Sequence, residues 1–77
     1  PLYSSAASDV YKRQARINDF VLALPQAERR VFLCRYWYLD SVAEIAIRFG
    51  FSTSKVKSML YRIRQQLRQT LEQEGLL

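Results

Sequence analysis

The chain has 77 residues, 49% of them hydrophobic, and its 12 Lys or Arg outnumber its 7 Asp or Glu for a net charge of +5. A chain of that length holds one domain with a compact core, and its apolar content lies above the range of disordered chains. With no histidine, one cysteine (Cys34), no carboxylate pair beside the basic stretch and no glycine-rich phosphate loop, the composition argues against an enzyme and against a resident metal or cofactor.

A lone cysteine cannot form an intramolecular disulfide, so a reducing cytoplasm suits the chain better than a secreted setting. No apolar run is long enough to span a bilayer and no signal peptide is visible, so no membrane partner is expected. Two glycines and two prolines leave few helix breakers, which predicts an all-α fold.

Residues 1–13, PLYSSAASDVYKR, are rich in Ser and Ala and carry no sustained apolar period. They read as a disordered or non-native tail, and SSAASDVYKRQ also resembles translated cloning or adapter sequence. The domain is expected over residues 14–77. From about Gln14 the pattern turns helical, with Ile17, Phe20, Val21 and Leu24 at i, i+3, i+4 and i+7.

Pro25 ends that helix and suits the first position of the next, where its fixed φ is already helical and its missing N–H is not needed. Glu28 in that first turn complements the helix dipole. The second helix is expected to run to about Tyr38, with Val31, Phe32, Cys34, Arg35 and Tyr36 on or beside its buried side. Tyr36, Trp37, Tyr38 and Leu39 then follow in one run. Four large neighbours cannot all face one core, so at least one ring is expected to sit partly exposed, the rings otherwise walling in the small core or forming a partner-binding patch.

Ser41-Val42-Ala43-Glu44 fits a capping box and opens the third helix. Ala46 is small where two helices must cross closely, and Gly50 can take the positive φ that turns the chain. Ser52 is the next cap candidate, and the fourth helix continues without a breaker to Gly75. The whole is therefore an all-α, four-helix domain with a C-terminal helix-turn-helix.

Along the fourth helix, 100° steps gather Val56, Met59, Leu60, Ile63, Leu67 and Leu71 on one arc, the core stripe. The opposite arc holds Ser54, Lys57, Ser58, Tyr61, Arg62 and Gln65, with Lys55 and Arg68 at its borders. No acidic residue falls between Glu44 and Glu72, whereas Arg48, Lys55, Lys57, Arg62, Arg64 and Arg68 do, so the positive field gathers on one end. The other reading of such a stretch is a solvated basic helix face. Lys57, Ser58, Tyr61 and Arg62 are the candidates to meet base edges in a major groove, because Lys and Arg donate to guanine and Ser and Tyr approach edges or the thymine methyl. Ser52, Thr53 and Lys55 are expected near the phosphates and Ser54 is counted with the DNA-binding residues on the outward arc, although Ser52 has a competing role as the cap and Tyr61 as simple surface cover.

The ordered set LPQAERRVFLCRYWYLD, EIAIRFGFS and KVKSMLYRIRQQLRQTL resembles region 4, the C-terminal DNA-binding domain of bacterial RNA polymerase sigma factors, above all the small extracytoplasmic-function group. The likeness covers residues 15 to 72 or so. It implies that the fourth helix binds the promoter minus-35 element, with Lys57, Ser58, Tyr61 and Arg62 facing bases and phosphates. It also implies that the groove of the first two helices, near Ile17, Phe20, Val21 and Phe32, docks on the flap of the polymerase β subunit, and that an anti-sigma factor can cover the same surfaces. Two positions depart from the pattern: Lys55 stands where threonine is common, and Leu39-Asp40 replaces a glycine-containing turn. The region that grips core polymerase and melts the minus-10 element is not in the chain, so as written it is not expected to initiate transcription. Rival readings are a stand-alone helix-turn-helix regulator, which would dimerise on half-sites about one helical turn apart, and a protein-interaction module using the aromatic run.

Overall fold

In a computed structural model the backbone is described for residues 2–76 and the side chains for residues 9–76. Four helices follow one another: α1 (Leu2–Ala23), α2 (Gln26–Tyr36), α3 (Val42–Phe49) and α4 (Thr53–Gln73). There is no strand among the described residues, which agrees with the all-α expectation.

α4 packs against each of the other three helices. Its apolar stripe supplies Val56, Met59, Leu60, Ile63 and Leu71 to the core, with Leu67 half-buried. Val31 and Cys34 of α2 and Ile45 and Ala46 of α3 close the other side, and Val42, Phe49 and Phe51 pack at the edge. Val31, Ile45, Val56 and Ile63 are the largest fully buried side chains. Full burial stabilises by roughly 1.5–3 kcal/mol for each such side chain, against about 0–1 for an exposed ion pair, so apolar packing decides how α2, α3 and α4 sit together.

The corner between α3 and α4 is built as the sequence predicts. Ser41 caps α3 by accepting from the Glu44 N–H at 3.1 Å, while the Glu44 carboxylate accepts from the Ser41 N–H at 3.4 Å, completing the capping box. Gly50 takes φ 70, and the Phe51 N–H donates to the Ala46 carbonyl at 2.9 Å, the Schellman closure of a helix end. Ser52 then accepts from the Lys55 N–H at 3.1 Å and starts α4.

The corner between α2 and α3 departs from expectation. α2 ends at Tyr36 rather than near Tyr38, and Leu39 turns the chain with φ 60 where no glycine is available. The Asp40 N–H donates to the Cys34 carbonyl at 2.9 Å; Arg35 donates to the Asp40 carbonyl at 3.1 Å and Arg48 to the Asp40 carboxylate at 3.0 Å. Two arginines thus hold a turn that the backbone alone disfavours. The aromatic run does not wall in the core: Tyr36, Trp37, Tyr38 and Leu39 are all exposed. A helix end followed by a left-handed residue carries consecutive side chains outward, past the face that Val31 and Cys34 occupy.

Two helix starts also differ from the sequence reading. Pro25 is the cap of α2 and Gln26 its first residue, because Pro25 is extended at ψ 150 while its carbonyl accepts from the Arg29 N–H at 2.9 Å. Along residues 1–13, expected as a tail, Pro1 lies outside the described residues and the backbone is helical from Leu2. The lack of an apolar period argues against burial but not against a helix, since no proline or glycine interrupts the stretch. Val10 and Tyr11 accordingly stay exposed, and the radius of gyration, 14.7 Å, exceeds the roughly 11.5 Å expected of a compact chain of this size. Farther along, Arg13 donates to the Leu76 carbonyl at 2.8 Å and Arg16 pairs with Glu74, which ties α1 to the end of α4.

Candidate nucleic-acid interface

α4 is aimed outward by its own periodicity. With Val56, Met59, Leu60 and Ile63 buried, Lys57, Ser58, Tyr61 and Arg62 must lie on the opposite side, and all four are exposed. They line one shallow concavity together with Arg64. Tyr61 is 58% exposed at its centre, a large ring open to solvent between two cations.

The cations of the basic window are not equivalent. Arg48 is paired with Asp40 at 3.0 Å and Arg68 with Glu72 at 3.0 Å, so their charge is partly spent inside the molecule. Lys55 holds its ammonium 4.2 Å from the centre of the Phe51 ring. Arg64 donates to the Tyr36 hydroxyl at 2.8 Å, a neutral partner that leaves its charge intact. Among the described residues, Lys57 and Arg62 stand in no ion pair. The positive field is therefore narrower than the sequence suggested, and it centres on the concavity.

The first turn of α4 adds backbone donors. Ser52 engages the Lys55 amide, so its oxygen serves as the cap, while Thr53 and Ser54 sit exposed at the helix start, where backbone N–H groups have no carbonyl four residues earlier to meet. The helix dipole and Lys55 both make this end positive, which favours an anionic neighbour.

A second concavity lies between α1 and α2. Ile17, Val21 and Phe32 line it, whereas Phe20 is half-buried and does not. Leu22, Leu33 and Trp37 belong to it and had no periodic signal of their own, because a groove between two helices takes side chains from the flanks of each stripe. Arg64 on the first concavity is different: it lies seven residues, two turns, beyond Lys57, and helical spacing alone places it on that ridge.

An outward cationic helix carried on a capped and buried helix-turn-helix defines the class of protein, a helix-turn-helix DNA-binding domain. Residues 14–67, more than two thirds of the chain, match the family described as Sigma-70, region 4. The chain belongs to the sigma-70 region 4 family, the DNA-binding domains of sigma factors, as its resemblance implied. The RNA polymerase sigma-E factor of Streptomyces avermitilis is 31% identical to it over 70 residues. Those residues are 91% of this chain and 39% of that protein, so the chain spans about two fifths of its relative. No helix among the described residues is long and apolar enough to cross a membrane.

Proposed function

We propose that this chain is the promoter-recognition module of a sigma factor acting in transcription initiation in the cytoplasm, and that the front half of α4 reads the minus-35 element. The observation that carries the reading is the concavity of Lys57, Ser58, Tyr61 and Arg62, whose two cations stand in no ion pair among the described residues. α4 has 21 residues and is about 30 Å long, more than a major groove requires. Its front therefore enters the groove, its rear packs against α1, and Ser52, Thr53, Ser54 and Lys55 lie against phosphates.

The apolar groove of Ile17, Val21 and Phe32 is the docking surface for the flap of the polymerase β subunit. Phe20 is half-buried and does not line this groove. An anti-sigma factor that covered either concavity would block one of the two partners.

Titration of labelled duplexes with the chain tests the reading. A duplex carrying the minus-35 element is expected to bind more tightly than a shuffled one, and both bindings should weaken steeply with salt. Binding to neither duplex would refute it in favour of a protein-interaction module, and a stable dimer on paired half-sites would point to a stand-alone regulator.

A further inference from the structure

Arg64 sits where the two halves of the molecule meet. Its guanidinium donates to the Tyr36 hydroxyl at 2.8 Å across the junction of α4 and α2, and the same side chain lines the concavity of Lys57, Ser58, Tyr61 and Arg62. Tyr36 is itself held, its ring 4.8 Å from that of Phe32 one turn earlier on α2. A guanidinium has five N–H donors and one of them goes to the hydroxyl, so the remaining donors and the whole charge stay available on the open side.

From this geometry we infer that Arg64 is a further phosphate contact for duplex DNA and that Tyr36, a residue of a different helix, is its positioning residue. The inference rests on the reading of α4 as the DNA-facing helix. Arg64 lies three residues beyond Tyr61 and seven beyond Lys57, so the three share one ridge of α4, on the flank nearest α2. A sugar-phosphate strand following that ridge away from the groove centre meets Arg64 next. An arginine left free would sample many rotamers and lose that entropy on binding; the hydroxyl removes much of the cost beforehand. Arg68, one turn farther on, is engaged by Glu72 and is the natural control.

The test measures the affinity of the full chain for a short mixed-sequence duplex as a function of salt, with Lys57→Ala as the reference for the parent reading. Arg64→Ala is expected to weaken binding alike for all sequences and to flatten the log-log salt slope by about one unit, the signature of one lost phosphate contact. Tyr36→Phe keeps the ring and removes only the hydroxyl; it should weaken binding by roughly 2- to 10-fold with the salt slope retained, because the charge is still there. In the Arg64→Ala background Tyr36→Phe should add nothing, which a merely structural role would not produce. Arg68→Ala should leave the slope unchanged.

An unchanged slope in Arg64→Ala, in a chain that binds the duplex and loses affinity with Lys57→Ala, overturns this inference and spares the parent reading; a chain that binds no duplex overturns both. Equal loss from Tyr36→Phe with and without Arg64 would show that Tyr36 does not act through it. Both side chains are exposed and the substitutions leave the core intact; thermal melts of each variant separate any loss of fold, and Arg64→Lys, which keeps the charge, should restore the slope without full affinity.

Discussion

Leu39 and Gly50 adopt the same left-handed conformation at the two corners that flank α3, with φ of 60 and 70. For a residue with a Cβ that conformation costs roughly 1–2 kcal/mol, and glycine escapes it at the expense of a more disordered unfolded chain. Because the Leu39 side chain is 78% exposed and has little packing to lose, Leu39→Gly should stabilise the fold by up to about 1 kcal/mol, read as a higher urea midpoint. A lower midpoint would mean that the leucine is not strained. Gly50→Val runs the other way. A Cβ there meets nothing within 4 Å, so backbone strain of about 1–2 kcal/mol sets the expected loss, to which the γ-methyls of valine can only add. Unchanged stability would contradict the positive φ.

At the scale of elements, α3 has only eight residues and depends on its ends. Ser41→Ala removes half of the capping box and is expected to cost about 1 kcal/mol, whereas Ser41→Gly should cost only a few tenths; thermal unfolding of the pair distinguishes a lost cap from a lost side-chain contact. Ser52 poses a sharper question, since its hydroxyl oxygen caps α4 and also lies near the expected path of the phosphates. If it serves only as the cap, Ser52→Ala lowers stability by about 1 kcal/mol and leaves DNA affinity below the melting range untouched. α1 shows the reverse balance. Residues 9–12 of α1 are all exposed, and its attachment to α4 through Arg13 and Arg16 is made of exposed polar contacts that contribute little.

For the whole molecule, α4 carries the cationic concavity while α1 and α2 form the apolar groove, and the Arg64–Tyr36 hydrogen bond joins a residue of each. Lys57→Ala or Arg62→Ala should weaken binding to the preferred duplex by about 1–3 kcal/mol if the side chain makes a paired contact to a base. If it touches only phosphate, the loss should be equal for all duplexes, with a shallower salt dependence. A variant that changes neither affinity nor base preference would remove its residue from the reading face. Arg48, also in the basic window, is predicted to behave differently. Its pairing with Asp40 makes Arg48→Ala a lesion of the turn between α2 and α3, seen in stability before it is seen in salt dependence.

Periodicity and capping chemistry were enough to determine the four-helix plan, the corner at Gly50, both serine caps and the outward face of α4, because each depends on residues within a few positions of one another. The order of those residues also sufficed for the family. Only the tertiary structure decided which cations remain available, since Arg48 finds Asp40 and Arg64 finds Tyr36 across helix junctions that no local pattern encodes. It likewise turned Tyr36, Trp37, Tyr38 and Leu39 outward and left Phe20 off the groove, because the direction of a side chain near a helix end follows from the turn beyond it and from the helix packed alongside.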